Sequence, residues 1–215
     1  MAMGDLFSGM LQGEEQIAPG AVLLRGFARD IAPALLACVA EISRVAPFRH
    51  LVTPGGYTMS VAMTNCGRVG WVSDESGYRY APHDPQTGLL WPQMPVLFSD
   101  LARRAAEAAG FNGFAPDAAL INRYVPGSRL SLHQDKDEDD ARAPIVSVSL
   151  GLPAVFLFGG LNRSDKTRKY RVEHGDVAVW GGPSRLAFHG IAPLADGDDP
   201  FTGNCRINLT FRAAL

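Results

Sequence analysis

Cysteine is scarce in this chain. Cys38, Cys66 and Cys205 are odd in number, far apart and form no C-x-x-C pair, which excludes a disulfide framework and a cysteine zinc site and reads as reduced thiols in a cytosolic protein. A surplus of one charge is lacking too. Lysine and arginine total 20 against 22 acidic residues, a formal net charge of −2, so bulk electrostatic capture of nucleic acid is excluded while local patches are not. No basic residue precedes Arg25, so the positive region that opens a secretory signal is missing. An unbroken apolar run of membrane-spanning length is also absent. The uncharged stretch from Ala143 to Asn162 is interrupted by Pro144, Pro153 and three glycines, and Val146, Val148 and Leu150 alternate with Ser147 and Ser149 at the period of a strand. We read it as two core strands joined by a turn near Pro153, with no membrane partner.

What is present is the patterning of a mixed fold. At 215 residues the chain can bury roughly 70% of the surface its unfolded form exposes, so it needs no staple. Asp30 is placed to cap a helix from Ile31 to about Val45, with Pro33 in its first turn. A second helix spans Pro95 to Ala109 and closes at Gly110. Between them the Gly-, Tyr- and Pro-rich stretch from Thr53 to Pro92 reads as hairpins and loops, with a strand near Tyr57 to Met63. After Pro116, eight short β-runs follow: Ala118–Tyr124, Arg129–His133, Ile145–Leu150, Ala154–Phe158, Lys169–Val172, Val177–Trp180, Arg185–Phe188 and Arg206–Phe211. The expected architecture is α+β. Residues 1–20 form an N-terminal tail and residues 21–215 one domain, whose jelly-roll core (about 117–215) is buttressed by the N-terminal helices and covered by an outer flap (about 53–92). Nothing in the pattern calls for an oligomer, so a monomer is expected.

Two H-x-D triplets occur where chance predicts fewer than one. Residues two apart on a strand point the same way and can bind one ion together. His133-Gln134-Asp135 ends a β-run and suits that role. His174-Gly175-Asp176 enters a strand through a turn, where an aspartate more often bonds the turn backbone. His189, at the end of another β-run, is the candidate third ligand. Two imidazoles and one carboxylate leave coordination positions open, which suits a non-haem Fe(II) oxygenase, although a zinc hydrolase could use similar ligands. The last run separates these readings. Arg206, Asn208, Thr210 and Arg212 share one face and Ile207, Leu209 and Phe211 the other. If the polar face looks into a closed jelly roll, its two arginines need anions, and a dicarboxylic keto acid supplies them. Asn122 and Tyr124, two apart on a strand, can complete that pocket.

The run Asn122-Arg-Tyr-Val-Pro-Gly-Ser-Arg-Leu-Ser-Leu-His133-Gln-Asp-Lys-Asp-Glu138, followed by Ile145–Gly151, Gly175–Gly182, His189-Gly190 and Arg206–Arg212, resembles the AlkB family of 2-oxoglutarate- and Fe(II)-dependent nucleic-acid demethylases. The likeness extends back through Val52–Gly67 and begins at about Ala21. It implies a double-stranded β-helix, the jelly-roll form already expected. It implies that His133, Asp135 and His189 hold Fe(II), that Arg206 takes the distal carboxylate of 2-oxoglutarate, and that Asn208 and Arg212 lie near the carboxylate beside the ketone. Asn122 and Tyr124 would touch the same cosubstrate. Trp71 would stack on a flipped base against His133, Tyr78 would lie along the nucleic-acid backbone, and Asp137 would sit near the base edge. Arg163, heading the basic run Arg163–Arg171, joins this substrate-binding set. Whether the whole run meets phosphate or is a solvated hairpin tip stays open at this level. The implied reaction uses O2 and 2-oxoglutarate, gives succinate, and removes a methyl group from 1-methyladenine or 3-methylcytosine as formaldehyde. The substrate would be single-stranded or duplex DNA, and also RNA. A 2-oxoglutarate-dependent hydroxylase of a protein or small molecule would share the iron and arginine sites, and a ligand-binding jelly roll without turnover is a third reading.

Overall fold

The computed structural model of the chain describes residues 13–215. Two short strands, β1 (Glu14–Ala18) and β2 (Ala21–Leu24), lead through a 3-10 turn into α1 (Ala32–Val45). Then come β3 (Arg49–Val52), β4 (Thr58–Gly67), β5 (Gly70–Asp74), β6 (Gly77–Ala81) and α2 (Val96–Ala108). The remaining strands are β7 (Ala118–Tyr124), β8 (Leu130–His133), β9 (Ile145–Gly151), β10 (Ala154–Phe158), β11 (Arg168–Val172), β12 (Val177–Trp180), β13 (His189–Ile191) and β14 (Arg206–Arg212). They form a large sheet ordered β1-β2-β12-β9-β14-β7-β4-β3 and a small one ordered β11-β10-β13-β8, while β5 and β6 pair as a separate hairpin. The pairings are antiparallel. No helix among the described residues is long and apolar enough to cross a membrane.

The strand period explains the layers. On β14 the odd residues Ile207, Leu209 and Phe211 join Leu35 of α1 and Phe98 and Leu101 of α2 in one buried cluster. Phe98 meets Phe211 edge to face, with ring centroids 5.7 Å apart. The helices thus cover the outer face of the large sheet. A second cluster, including Leu120, Tyr124, Phe156, Phe158 and Trp180, fills the space between the sheets. Burying one apolar face on each side leaves the even residues of β14 between the sheets, where the chemistry lies.

The structure corrects several expectations. Residues 1–12 of the expected tail lie outside the described residues, but Glu14–Ala18 is already an edge strand of the large sheet. The jelly roll also draws β2, β3 and β4 from the first half of the chain. Among the described residues its two sheets end at β1 and β3 and at β11 and β8, so the strands described do not close into a barrel. The flap shrinks accordingly: β4 belongs to the large sheet, and only the β5–β6 hairpin stands apart. Asp30 is not a cap. The 3-10 turn Arg29–Ile31 moves the start of α1 past it, Ile31 takes the cap position with no side-chain bond, and Pro33 presets the first turn. Arg185–Phe188 is not a strand either, because a turn at Gly182–Ser184 directs the Arg185 side chain inward, and the strand starts at His189.

The crossing from β9 in the large sheet to β10 in the small one turns on Gly151. Its φ is +85°, a conformation that disfavours a side chain. A Cβ there would also lie 2.1 Å from Thr202 Oγ1 and 2.6 Å from the Cys205 carbonyl oxygen. Gly151→Ala should therefore destabilise the fold by about 1–3 kcal/mol, lowering the melting temperature by roughly 2 °C or more. A thermal melt identical to wild type would show that this crossing does not need glycine.

Candidate active site

A cavity of about 880 Å³ opens between the sheets, and His133, Asp135 and His189 lie in its wall. β8 ends at His133, and β13 begins at His189, directly opposite it in register. The two imidazole centroids are 4.4 Å apart. Asp135 follows in a segment without regular secondary structure, its carboxylate 3.5 Å from His133 Nε2 and 3.8 Å from His189 Nε2. One ligand atom from each residue falls within 4.8 Å of the others, the only such cluster of three or more His, Cys, Asp or Glu among the described residues. His133 Nδ1 lies 2.9 Å from the Ser131 carbonyl and His189 Nδ1 3.0 Å from that of Ala187. Those carbonyls fix the protons on Nδ1 and leave both Nε2 lone pairs facing Asp135, as metal ligation requires.

Electrostatics keep this donor set in its binding form. Burial opposes ionisation of Asp135, but Arg212 and the two imidazoles outweigh it and hold the carboxyl well below the usual range. Arg212 donates to Asp135 Oδ2 from Nε at 3.1 Å and from Nη2 at 2.8 Å. Burial, helped by the neighbouring His133, pushes the His189 pKa down to about 4, so near neutral pH the ring is uncharged. Two imidazoles and one carboxylate, with space beside them, form a set that fits Fe(II) with open positions.

The second H-x-D triplet is occupied otherwise. Asp176 accepts from the Glu173 and Gly26 amides at 2.9 and 2.8 Å and from Arg25, and His174 Nδ1 accepts the Gly151 amide at 3.0 Å. It braces a turn.

Arg206, Asn208, Thr210 and Arg212 all line the cavity, joined across the ladder by Asn122 and Tyr124 of β7. They are not equivalent. Arg212 already meets two carboxylates, Asp135 and Glu138, the latter at 3.2 Å. Asn208 donates to Ser147 Oγ and to the Val148 carbonyl and accepts from Asn122 and Thr210. Arg206 is only 2% exposed, gives one bond to Ser149 Oγ at 3.0 Å, and stacks over Tyr124 at 4.9 Å. Its Nε and Nη1 have no partner, nor does Asn122 Oδ1. Burial lowers the Arg206 pKa, against the influence of Tyr124. A buried guanidinium with unmet donors is what a carboxylate would satisfy, so the residues fit 2-oxoglutarate.

The mouth of the cavity carries the remaining candidates. Trp71 on β5 stacks on Tyr78 of β6, with centroids 5.5 Å apart, and donates from Nε1 to Asp137 Oδ2 at 2.9 Å. Asp137 is therefore bound to the hairpin, although the strand that was to aim it ends at His133. Arg163 lines the mouth and lies 5.4 Å over the Phe188 ring. Met59 and Met63 line the same space from β4.

Sequence reasoning missed the buttress behind the ligand segment. Arg185, 3% exposed, donates to the Asp135 carbonyl at 2.7 Å, to Glu138 Oε2 at 3.0 Å and to the Ala143 carbonyl at 2.8 Å. Glu138 also accepts the Tyr80 hydroxyl at 2.6 Å. No local motif announces these long-range pairs. Ser147 and Ser149, by contrast, were marked by the alternation already noted on β9.

Comparison with known proteins agrees with this geometry. Residues 20–212 match the model of the 2OG-Fe(II) oxygenase superfamily. The chain is 59% identical over 212 residues to the alpha-ketoglutarate-dependent dioxygenase AlkB of Escherichia coli (strain K12), covering 99% of this chain and 98% of that one. It is 31% identical over 141 residues to the tRNA demethylase abh1 of Schizosaccharomyces pombe, covering 64% and 47%. The solved structure of OsALKBH1 superposes with a TM-score of 0.82 at 30% identity, covering 93% of this chain and 99% of that one. This chain belongs to the AlkB family of Fe(II)- and 2-oxoglutarate-dependent dioxygenases.

Proposed function

We propose that this chain oxidatively demethylates N-alkylated bases, 1-methyladenine and 3-methylcytosine, in DNA and also in RNA, and so repairs alkylation by direct reversal. The observation that carries the reading is the Trp71–Asp137 bond. It sets an aromatic face and a carboxylate at the mouth of the cavity that holds the His-Asp-His cluster. The relative named as a tRNA demethylase supports RNA as a substrate. The three free cysteines agree with a cytoplasmic protein, and we take it to act as a monomer.

In this reading His133, Asp135 and His189 would hold Fe(II), which with 2-oxoglutarate would activate O2: one oxygen atom would pass into the N-methyl group, whose hydroxymethyl product releases formaldehyde, and the other into the cosubstrate, which becomes succinate as carbon dioxide leaves. Arg206 takes the carboxylate far from the ketone, with Tyr124 beneath it. Asn122 presents its free carbonyl, and Arg212 keeps Asp135 ionised. The methyl lies on the pairing edge of the base, so the nucleotide must leave the stack, and a base unable to pair is the easiest to extrude. Trp71 then receives it by stacking, which contributes about 1–3 kcal/mol per base without reading sequence. Asp137 holds Trp71 with one oxygen and retains the other for the base edge.

The test is mass spectrometry of an oligonucleotide carrying 1-methyladenine, incubated with the protein, Fe(II), 2-oxoglutarate and air. Loss of the methyl group with matched succinate and formaldehyde is expected. Succinate formation indifferent to the methyl group, with the base unchanged, would favour a hydroxylase of some other substrate.

Methylation of adenine at N1 or cytosine at N3 makes the base cationic, whereas 1-methylguanine and 3-methylthymine are neutral. Asp137→Asn preserves an acceptor for Trp71 and removes the charge. Since hydrogen bonds to charged groups contribute ~1.5–3 kcal/mol, turnover of the two cationic bases should fall about tenfold to a hundredfold, and that of the neutral pair much less. Equal losses on all four would show that Asp137 serves the fold or the metal segment and not charge selection.

A further inference from the structure

The basic run left open by the sequence spans the turn between β10 and β11 and most of β11 itself, and its charges are unevenly matched. Asp165, the single acid within Arg163–Arg171, closes the turn on itself: its Oδ2 accepts the Asn162 amide at 2.9 Å, and its own amide donates to the Asn162 carbonyl at 3.0 Å. The Gly159 amide donates to the Phe188 carbonyl at 2.8 Å and the Phe188 amide donates to the Gly160 carbonyl at 2.8 Å, which pins the turn to the segment leading into His189. Arg171 pairs with Glu173. Lys166, Arg168 and Lys169 are exposed and have no carboxylate within 4.0 Å among the described residues.

Arg163, at the head of the run, lines the active-site mouth, and Arg168 and Lys169 follow on β11. On the other flank of the same turn, Lys166 and Arg168 line a separate hollow of about 360 Å³ together with Pro19, Gly159, Gly160 and Tyr170 and with Asp165, whose carboxylate is already engaged by Asn162. A nucleic-acid strand with one nucleotide in the active site has phosphates on both sides of it, and phosphate contacts set register without reading sequence. We infer that the hollow and the turn form a second contact for the phosphodiester backbone, with Lys166, Arg168 and Lys169 holding the strand beyond the flipped nucleotide. The inference rests on the nucleic-acid reading given above and extends it to residues outside the active site. It also accounts for a charged platform on a chain whose net charge is −2: capture is local, beside the mouth.

The experiment compares wild type with the triple variant Lys166→Gln, Arg168→Gln, Lys169→Gln, and uses Arg44→Gln on the exposed face of α1 as a control. Binding of an unmethylated single strand of about fifteen nucleotides is followed by fluorescence anisotropy across a salt series, since each lost phosphate contact flattens the slope of log affinity against log salt by about 0.7 on a single strand. For the triple variant the slope should flatten by about two, with affinity at low salt falling by on the order of tenfold or more. The KM for a methylated trinucleotide, which has a single nucleotide on each side of the flipped one, and the KM for 2-oxoglutarate should match wild type, as should all values for Arg44→Gln. An unchanged salt slope would overturn the proposal, as would an equal loss on the trinucleotide and the long strand. Failure of wild type to demethylate any oligonucleotide, with salt-dependent binding that the triple variant loses, would instead remove the demethylase reading and leave the contact standing.

Discussion

Two arginines cannot sit inside a protein without anions, and β14 places Arg206 and Arg212 there together. The strand is central in the large sheet, hydrogen-bonded on both sides, with an apolar face committed to α1 and α2. Its polar face therefore cannot turn to solvent, because a one-residue slip would exchange the two faces. Arg212 resolves its charge internally through Asp135 and Glu138. Arg206 does not: its Nε and Nη1 have no partner, and a ligand carboxylate would satisfy them. In the proposed reading, iron site and cosubstrate site are thus one electrostatic unit: the cation that keeps Asp135 ionised stands three strand repeats from the cation that would take the cosubstrate carboxylate.

The rest of the molecule positions groups around that unit. His133 and His189 arrive on paired strands of the small sheet, where register alone sets them opposite each other. Asp135 lies on a segment without a ladder, so its backbone needs another support, and Arg185 provides it by bridging Asp135, Glu138 and Ala143. Trp71 is tied to the same segment through Asp137, and Tyr80 through Glu138. The hairpin above the cavity is therefore held at two points by the loop that carries the metal ligand.

Much of this was legible in the sequence because strand period is a strong signal. The alternation in Arg206–Arg212 predicts both the face that packs on the helices and the face that lines the cavity, and the same logic separates His133-Gln-Asp135 from the turn-bracing His174-Gly-Asp176. Long-range pairing left no such trace. Arg185 lies 50 residues from Asp135, and the run containing it has strand-like composition, so the inward turn at Gly182–Ser184 was hidden. Asp30 looked like a cap because local propensity cannot foresee a 3-10 turn before the helix. The N-terminal strands were missed because Glu14–Ala18 is short, half exposed and held mainly by its neighbour β2.

The claim that Arg206 is a buried cation awaiting a dicarboxylate is tested most directly by calorimetric titration of 2-oxoglutarate into Mn(II)-loaded protein, for wild type and for Arg206→Lys. Lysine keeps the charge but lacks the forked donors. Since a charge-assisted hydrogen bond contributes ~1.5–3 kcal/mol, the account predicts tight binding to wild type and a loss of about tenfold to a hundredfold in the variant, with an unchanged Mn(II) affinity. Equal affinity of both proteins for 2-oxoglutarate would contradict it.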